Sequence, residues 1–183
     1  EQLLQYVLLT CQDSTDEVLN KMVSKLEHEV YEAIDHDDNL QSILSLIAKK
    51  IEKFYIHDSY CTIHIYDDNY AIKYLGTHTL PLEFIDKLDL LAVTPTMSYS
   101  PLAIYIKNFT NPEVATHLAN NYHFNHLTGS WTKPILTPQN KVIGILTMYL
   151  QGPIELKQSD INYLNRLALL IQLAIKYAEQ KIE

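Results

Sequence analysis

Eight histidines are the first residues in this 183-residue chain that could do chemistry, and their spacing argues against a metal. His36 stands between Asp35 and Asp37, but contiguous residues rarely converge on one ion, and an acidic stretch between helices is ordinarily solvated. His117, His123 and His126 are six and three residues apart, which is not the i, i+4 pair that sets two imidazoles on one helix face. No haem-attachment sequence accompanies them. For covalent chemistry, Ser130 lies in Thr-Gly-Ser-Trp and lacks the second glycine of a nucleophile elbow. Cys61 sits in an alternating stretch, where a buried structural thiol is expected. Cys11 and Cys61 have no Cys-x-x-Cys spacing, so neither a zinc ribbon nor a disulfide scaffold is expected, and a reduced, cytoplasmic setting fits. With only 4 glycines there is no phosphate-cradling loop. The expectation is a protein that is not an enzyme, with no catalytic residue, no metal site and no cofactor that a motif would name.

The charge balance narrows the partners. The 22 acidic and 14 basic residues give a net charge of −8, and Arg166 is the sole arginine. Phosphate-backbone binding needs a basic stripe and leans on arginine forks, so nucleic acid is not an expected partner. No run approaches the ~18 apolar residues of a membrane span, and the densest, 167–173, is broken by Gln172. The composition, 47% hydrophobic and 20% charged, is that of one foldable domain with or without a helical arm. The sequence opens at Glu1 in a helical pattern without an initiator methionine, which carries the expectation of a piece of a longer protein.

Residues 1–56 contain no Gly or Pro and read as helix. Leu19, Val23, Leu26, Val30 and Ala33 step by four and three as a short heptad seam. Asp13-Ser14-Thr15-Asp16 offers N-cap chemistry, so that helix is expected to start near residue 15. The acidic cluster at 35–39 then separates it from a helix over 40–54. From residue 59 the period becomes two: Cys61, Ile63 and Ile65 alternate with Thr62, His64 and Tyr66. Asp67-Asp68-Asn69 turns the chain into a second strand, 71–75. A short helix is expected from Pro81 to Leu88, a strand over 101–106, and a helix from Asn111 to about Tyr122 with Pro112 at its first turn. Strands 126–136 and 141–150 join through Pro138-Gln139-Asn140. The last helix, 160–182, is expected to be capped by Ser159 or Asp160. It carries two apolar stripes: Leu164, Ala168, Ile171, Ile175, Ala178 and Ile182, and beside them Tyr163, Leu167, Leu170, Ala174 and Tyr177. Both must be buried, so one is expected to meet the amino-terminal helix or a second chain.

Three strings within this order resemble a known family. Gly129-Ser130-Trp131-Thr132-Lys133-Pro134-Ile135-Leu136, followed by Lys141-Val142-Ile143-Gly144-Ile145-Leu146-Thr147-Met148-Tyr149, is similar to a strand pair of GAF domains. Leu80-Pro81-Leu82-Glu83-Phe84 with Leu88-Asp89 resembles the helix after their first hairpin. Asn108-Phe109-Thr110-Asn111-Pro112-Glu113-Val114 stands where the family has an Asp-Ile-x-x-Asp-Pro stretch. Over roughly residues 38–180 the chain thus resembles a GAF domain, of the branch found ahead of bacterial diguanylate cyclase (GGDEF) and phosphodiesterase (EAL) modules.

The resemblance implies an α+β, PAS-related fold: a central antiparallel sheet of five to six strands flanked by amino- and carboxy-terminal helices. It implies a helical arm over 1–36, a sensory domain over 37–183, and a covalently linked output domain beyond this segment, acting in cyclic-di-GMP metabolism. It places a small-molecule cavity against the sheet, with Tyr99, Tyr105, Phe109, His117 and Trp131 as lining and Asn108 and Lys133 as polar anchors. Trp131 could equally fill the core beside Leu127 and Ile135. Leu164, Ala168, Ile171, Ile175 and Ala178 would form the dimer helix of a homodimer. The family's glycine- and cysteine-bearing pocket segment is shortened here to Thr96-Met97-Ser98-Tyr99-Ser100, and Ser130 stands where cysteine is common. Two readings follow: a ligand-binding sensor, or a domain without ligand that serves as a dimerisation scaffold. Free methionine sulfoxide reductases of this fold use several pocket cysteines, and the chain has none after Cys61.

Overall fold

The computed structural model describes residues 2–36, 38–54, 59–80, 104–108, 127–151 and 155–180. Helix α1 runs unbroken from Gln2 to Asp35. The expected start near residue 15 is therefore corrected. Asp13–Asp16 can cap only where the chain leaves the helix, and with no Gly or Pro nearby these residues continue it at small propensity cost. The helix ends where Asp38 N donates to the Ala33 carbonyl (3.0 Å). Asn39 then caps α2, Leu40–Phe54, its side-chain oxygen accepting from Ser42 N at 2.9 Å.

Five strands follow: β1, Tyr60–Tyr66; β2, Ile72–Thr77; β3, Tyr105–Asn108; β4, Gly129–Leu136; and β5, Val142–Leu150. They form one antiparallel sheet in the order β2-β1-β5-β4-β3. The third strand lies later than the 101–106 expected. The helices expected at 81–88 and 111–122 fall outside the described residues. Both hairpins turn through a left-handed residue, Tyr70 (φ 61°) and Asn140 (φ 63°). In the first, Asp67 Oδ1 accepts from the backbone of Asn69 and Ala71 at 2.9 Å each.

The C-terminal helix α3 spans Gln158–Gln180. Its cap differs from expectation. Asp160, inside the first turn, accepts from Lys157 N at 2.9 Å, the half of a capping box in which the third residue reaches back to the cap. Leu164, Ala168, Ile171 and Ile175 are buried in this chain, with Ala178 packed against the same core, and Tyr163, Leu167, Leu170 and Ala174 are buried too. Of the two partners expected for the second stripe, the amino-terminal helix is the one observed: α1, α2 and the sheet cover the described residues of both stripes, those assigned to a dimer helix among them.

The three helices among the described residues lie on one face of the sheet. Cys61, Ile63, Ile65, Trp131, Ile135, Leu146, Met148 and Leu150 point into a core shared with Val23, Leu26 and Val30 of α1, Ile43, Leu44, Ile47 and Ile51 of α2, and the two stripes of α3. The second half of α1 is therefore part of the same core as the sheet. Two glycines permit the close approach. A Cβ at Gly76 would meet Leu44 of α2 at 2.7 Å, and one at Gly144 would collide with the His64 carbonyl.

Candidate functional site

Because strands alternate, the other face of the sheet is formed by the residues between those core positions. The pairing register sets them in rows. Thr62 on β1 lies opposite Thr77 on β2 and Thr147 on β5, and Thr147 lies opposite Thr132 on β4, so four threonines cross four strands in one line. One row away, Leu75, His64, Ile145 and Pro134 are aligned; on the other side stand Tyr60, Tyr149 and Ser130. Thr62, His64, Ser130, Thr132, Thr147 and Tyr149 are all buried. The described helices pack on the opposite face, so these buried polar groups lie on the side of the sheet away from them.

The hydroxyls differ in their partners. Thr132 and Thr147 share a hydrogen bond at 3.1 Å. The buried hydroxyls of Thr62 and Thr77 have no hydrogen-bond partner among the described residues. A buried hydroxyl left unmade ordinarily costs about 1–3 kcal/mol, which marks these two as ready to bond with something else. Burial pushes the His64 imidazole down to about 4, so at neutral pH it is uncharged. The described side chains named here thus offer neutral hydrogen-bonding groups, and the register sets Lys107 of β3 opposite Ser130 at the edge of the same face.

The residues expected around a pocket distribute unevenly. Trp131 and Lys133 are buried, but alternation along β4 sets them with Ile135, on the helix-facing side. Trp131 fills the core there, which is the second of the two readings given for it. Lys133 is only 2% exposed, in mid-strand opposite Leu146, where burial pushes its amine below the usual lysine value. The polar-anchor role that the resemblance implied for it would need the opposite face of the strand. Tyr105 and Asn108 lie on β3, with Tyr105 opposite Thr132 and Asn108 opposite Gly129. Tyr99, Phe109 and His117 fall outside the described residues, as do His123 and His126. The ring of His36 donates to the Glu32 carbonyl at 2.7 Å. What sequence reasoning missed is the row itself. The alternation in 61–66 separates Thr62 and His64 from the core residues, but lining them up with Thr147 and Thr132 requires the register.

Other ionisable groups belong elsewhere. Cys61 is buried on the helix-facing side, its thiol pushed up by burial and by Glu52, whose carboxylate accepts from Cys61 N at 3.1 Å. Arg166 of α3 joins α1: it donates to both Glu27 oxygens at 2.9 Å, to Asn20 Oδ1 at 3.1 Å and to Ser24 Oγ at 3.3 Å. Ser159, Asn162 and Tyr163 lie beside Leu19, Asn20 and Val23, so α1 and α3 run side by side in the same direction. A groove of about 170 Å³ opens between the hairpin tips and the last turns of α3, flanked by the exposed Asp68–Lys141 pair at 2.8 Å. Lys141 holds the Asp68 carboxyl below its ordinary value. Among the described residues no helix is long and apolar enough to cross a membrane, and no cluster of three metal-ligating side chains occurs.

No protein-family model and no curated protein sequence matches this chain. Solved structures do. A GAF domain assigned to a sensor histidine kinase of Pseudomonas syringae pv. tomato is 14% identical, with 94% of each chain covered and a TM-score of 0.61. Free methionine-R-sulfoxide reductase from Neisseria meningitidis, solved with its substrate, is 13% identical over 91% of this chain and 93% of its own, at 0.60. The phycoerythrobilin-bound GAF domain of a cyanobacterial phytochrome is 10% identical over 90% of this chain and 100% of its own, at 0.59. At such identities the likeness concerns the fold, and the fold is that of GAF domains.

Proposed function

We propose that this chain is a sensory or regulatory domain without catalytic activity, which binds a small molecule against the hydroxyl-bearing face of its sheet. The observation that carries the reading is the buried row Thr77–Thr62–Thr147–Thr132, two of whose hydroxyls have no partner among the described residues. It is supported by similar structures that hold a small molecule: one a bilin, another an enzyme's substrate. Against catalysis stands the position of Cys61, a buried thiol on the helix-facing side, away from the hydroxyl row. Ligand occupancy would bias how the sheet packs on α1 and α3, and α3 would hand that bias to a covalently linked output domain in a cytoplasmic bacterial signalling protein. We place that output in cyclic-di-GMP metabolism on the sequence resemblance over roughly residues 38–180 alone. The test is thermal denaturation of the chain against nucleotides, haem, a bilin and methionine sulfoxide. A saturable rise in Tm with one of them is expected, and no rise with any would sink the reading.

A second reading, a homodimerisation scaffold, is favoured by a specific surface. Tyr31 follows Glu27 by one turn, and Leu169 and Leu173 follow Arg166 by one and two turns, so all three border the α1–α3 seam. They are 51%, 62% and 37% exposed. A second copy would cover them by pairing α1 and α3 with their counterparts. Light scattering of the wild type and of Leu169→Asp/Leu173→Asp decides it: a dimer that the double variant dissociates is expected, and a wild-type monomer at tens of micromolar excludes it.

A further inference from the structure

Among the described strands, the two outer ones differ in length and in what covers them. β3 has four residues, whereas β2, Ile72–Thr77, has six. An outer strand presents a row of unpaired N–H and C=O groups on which another strand can add, and proteins keep such rows short, charged or covered. In an antiparallel pair alternate residues turn both backbone groups outward, and Leu75, opposite His64 in the ladder, is such a residue. Gln41 of α2 donates from Nε2 to the Leu75 carbonyl at 2.5 Å and accepts from Leu75 N through Oε1 at 3.3 Å. One side-chain amide thereby fills both places that a residue of an added strand would take. The helix that carries it is fixed at two points: Asn39 caps its first turn, and Leu44 lies so close to Gly76 that a Cβ there would collide.

We propose that Gln41 is a guard on this edge: it keeps β2 from pairing with the β2 of a second copy of this chain. Alternation turns the backbone of Thr77 outward with that of Leu75, so the strand is oriented to bond a partner at more than one residue. It is also self-complementary about Leu75. In a two-fold antiparallel pair centred there, Leu75 faces its own copy and Lys73 faces Thr77, so the two lysines stand apart instead of opposing like charges. Lys73 therefore restrains only registers centred on itself, and the Leu75 centre is left to Gln41. An added strand cannot bond Leu75 while the amide does. Apolar surface lies beside this edge: Ile72 is 46% exposed and Tyr70, at the left-handed position of the turn, 41%. Gln41 is itself exposed, at the second residue of α2, so core packing does not account for an amide there.

The experiment is light scattering of the full 183-residue chain from tens to hundreds of micromolar. It is done in the Leu169→Asp/Leu173→Asp background, so that a dimer formed through the helices does not contribute. Added to that background, Gln41→Ala should self-associate at least about tenfold more tightly while its Tm stays within about 4 °C. Gln41→Met keeps the length of the side chain and its helix propensity but loses the amide; it should associate likewise, and it decides the matter if Gln41→Ala fails to fold. Gln41→Ala/Leu75→Pro should return to the background mass, because proline removes the outward N–H and leaves the bonds between β1 and β2 in place. A folded Gln41→Ala or Gln41→Met chain that keeps the background mass overturns the proposal. So does association that persists with Leu75→Pro, since the new contact would then lie elsewhere on the molecule.

Discussion

The two faces of the sheet are built from the same strands, in the same register, and they do opposite things. On the helix side, Cys61, Ile63, Ile65, Leu146 and Met148 join a continuous apolar core with three helices. On the other side, one residue along each strand, Thr62, His64, Thr147 and Thr132 are buried as completely, yet bring hydroxyls and an imidazole out of water. Burial alone therefore does not separate them; the chemistry of what is buried does. Apolar burial stabilises by roughly 25 cal/mol per Å², whereas a polar group gains only what its hydrogen bonds return. The helix face is where stability resides. The hydroxyl face is where stability has been left incomplete, which suits a surface that completes itself with a ligand.

If that division is right, the largest effects come from the helix face and its close contacts. Gly144→Val forces a side chain onto the His64 carbonyl and Ile65 Cδ1. Backbone cannot yield there as a flexible side chain would, so a loss of about 4 kcal/mol or more, or failure to fold, is expected in urea denaturation. Ile63→Ala empties a fully buried position against α2 and the strands and should cost about 3 kcal/mol in the same assay. A loss below about 1 kcal/mol would mean that this face is not the main source of stability.

The histidine gives the hydroxyl face its own signature. Its folded-state value of about 4 lies below the ordinary 6.5. Between those values the unfolded chain holds the proton and the folded chain does not, so stability is intact above pH 6.5 and falls as the pH drops toward 4. The full loss is on the order of 3 kcal/mol. His64→Gln should flatten the pH dependence of Tm across this window. An unchanged slope would place the imidazole in contact with water.

How much of this division was legible in the sequence depends on the strand. In β1 the alternation of Cys61, Ile63 and Ile65 with Thr62 and His64 assigns both faces from residue order alone. In β4 it does not. All eight residues from Gly129 to Leu136 are buried, so no exposed position marks which side is which, and Trp131 and Lys133 read as pocket residues although they face the helices. The two stripes of α3 were legible as surfaces needing cover, with the amino-terminal helix as one of two candidates; which candidate covers them was not, because that depends on helices more than a hundred residues away in sequence. The threonine row was not legible at all: its members come from four separate strands, and only the cross-strand register aligns them.

The smallest effects test the row most sharply, because two isosteric substitutions in it should differ. Thr147→Val removes one partner of the Thr132–Thr147 hydrogen bond and leaves the Thr132 hydroxyl buried without it; a loss of about 1–2 kcal/mol is expected in urea denaturation. Thr62→Val changes the same atoms one strand away, but its hydroxyl has no partner to orphan among the described residues. Replacing an unpaired buried hydroxyl by a methyl group of similar volume returns the desolvation cost, so the apo chain should be unchanged or up to about 1 kcal/mol more stable. A stability gain together with loss of ligand binding is the pattern of a residue kept for function at the expense of the fold. Equal losses for Thr62→Val and Thr147→Val would mean that both hydroxyls are already bonded in the free protein, and the contrast between the two faces would then reduce to composition alone.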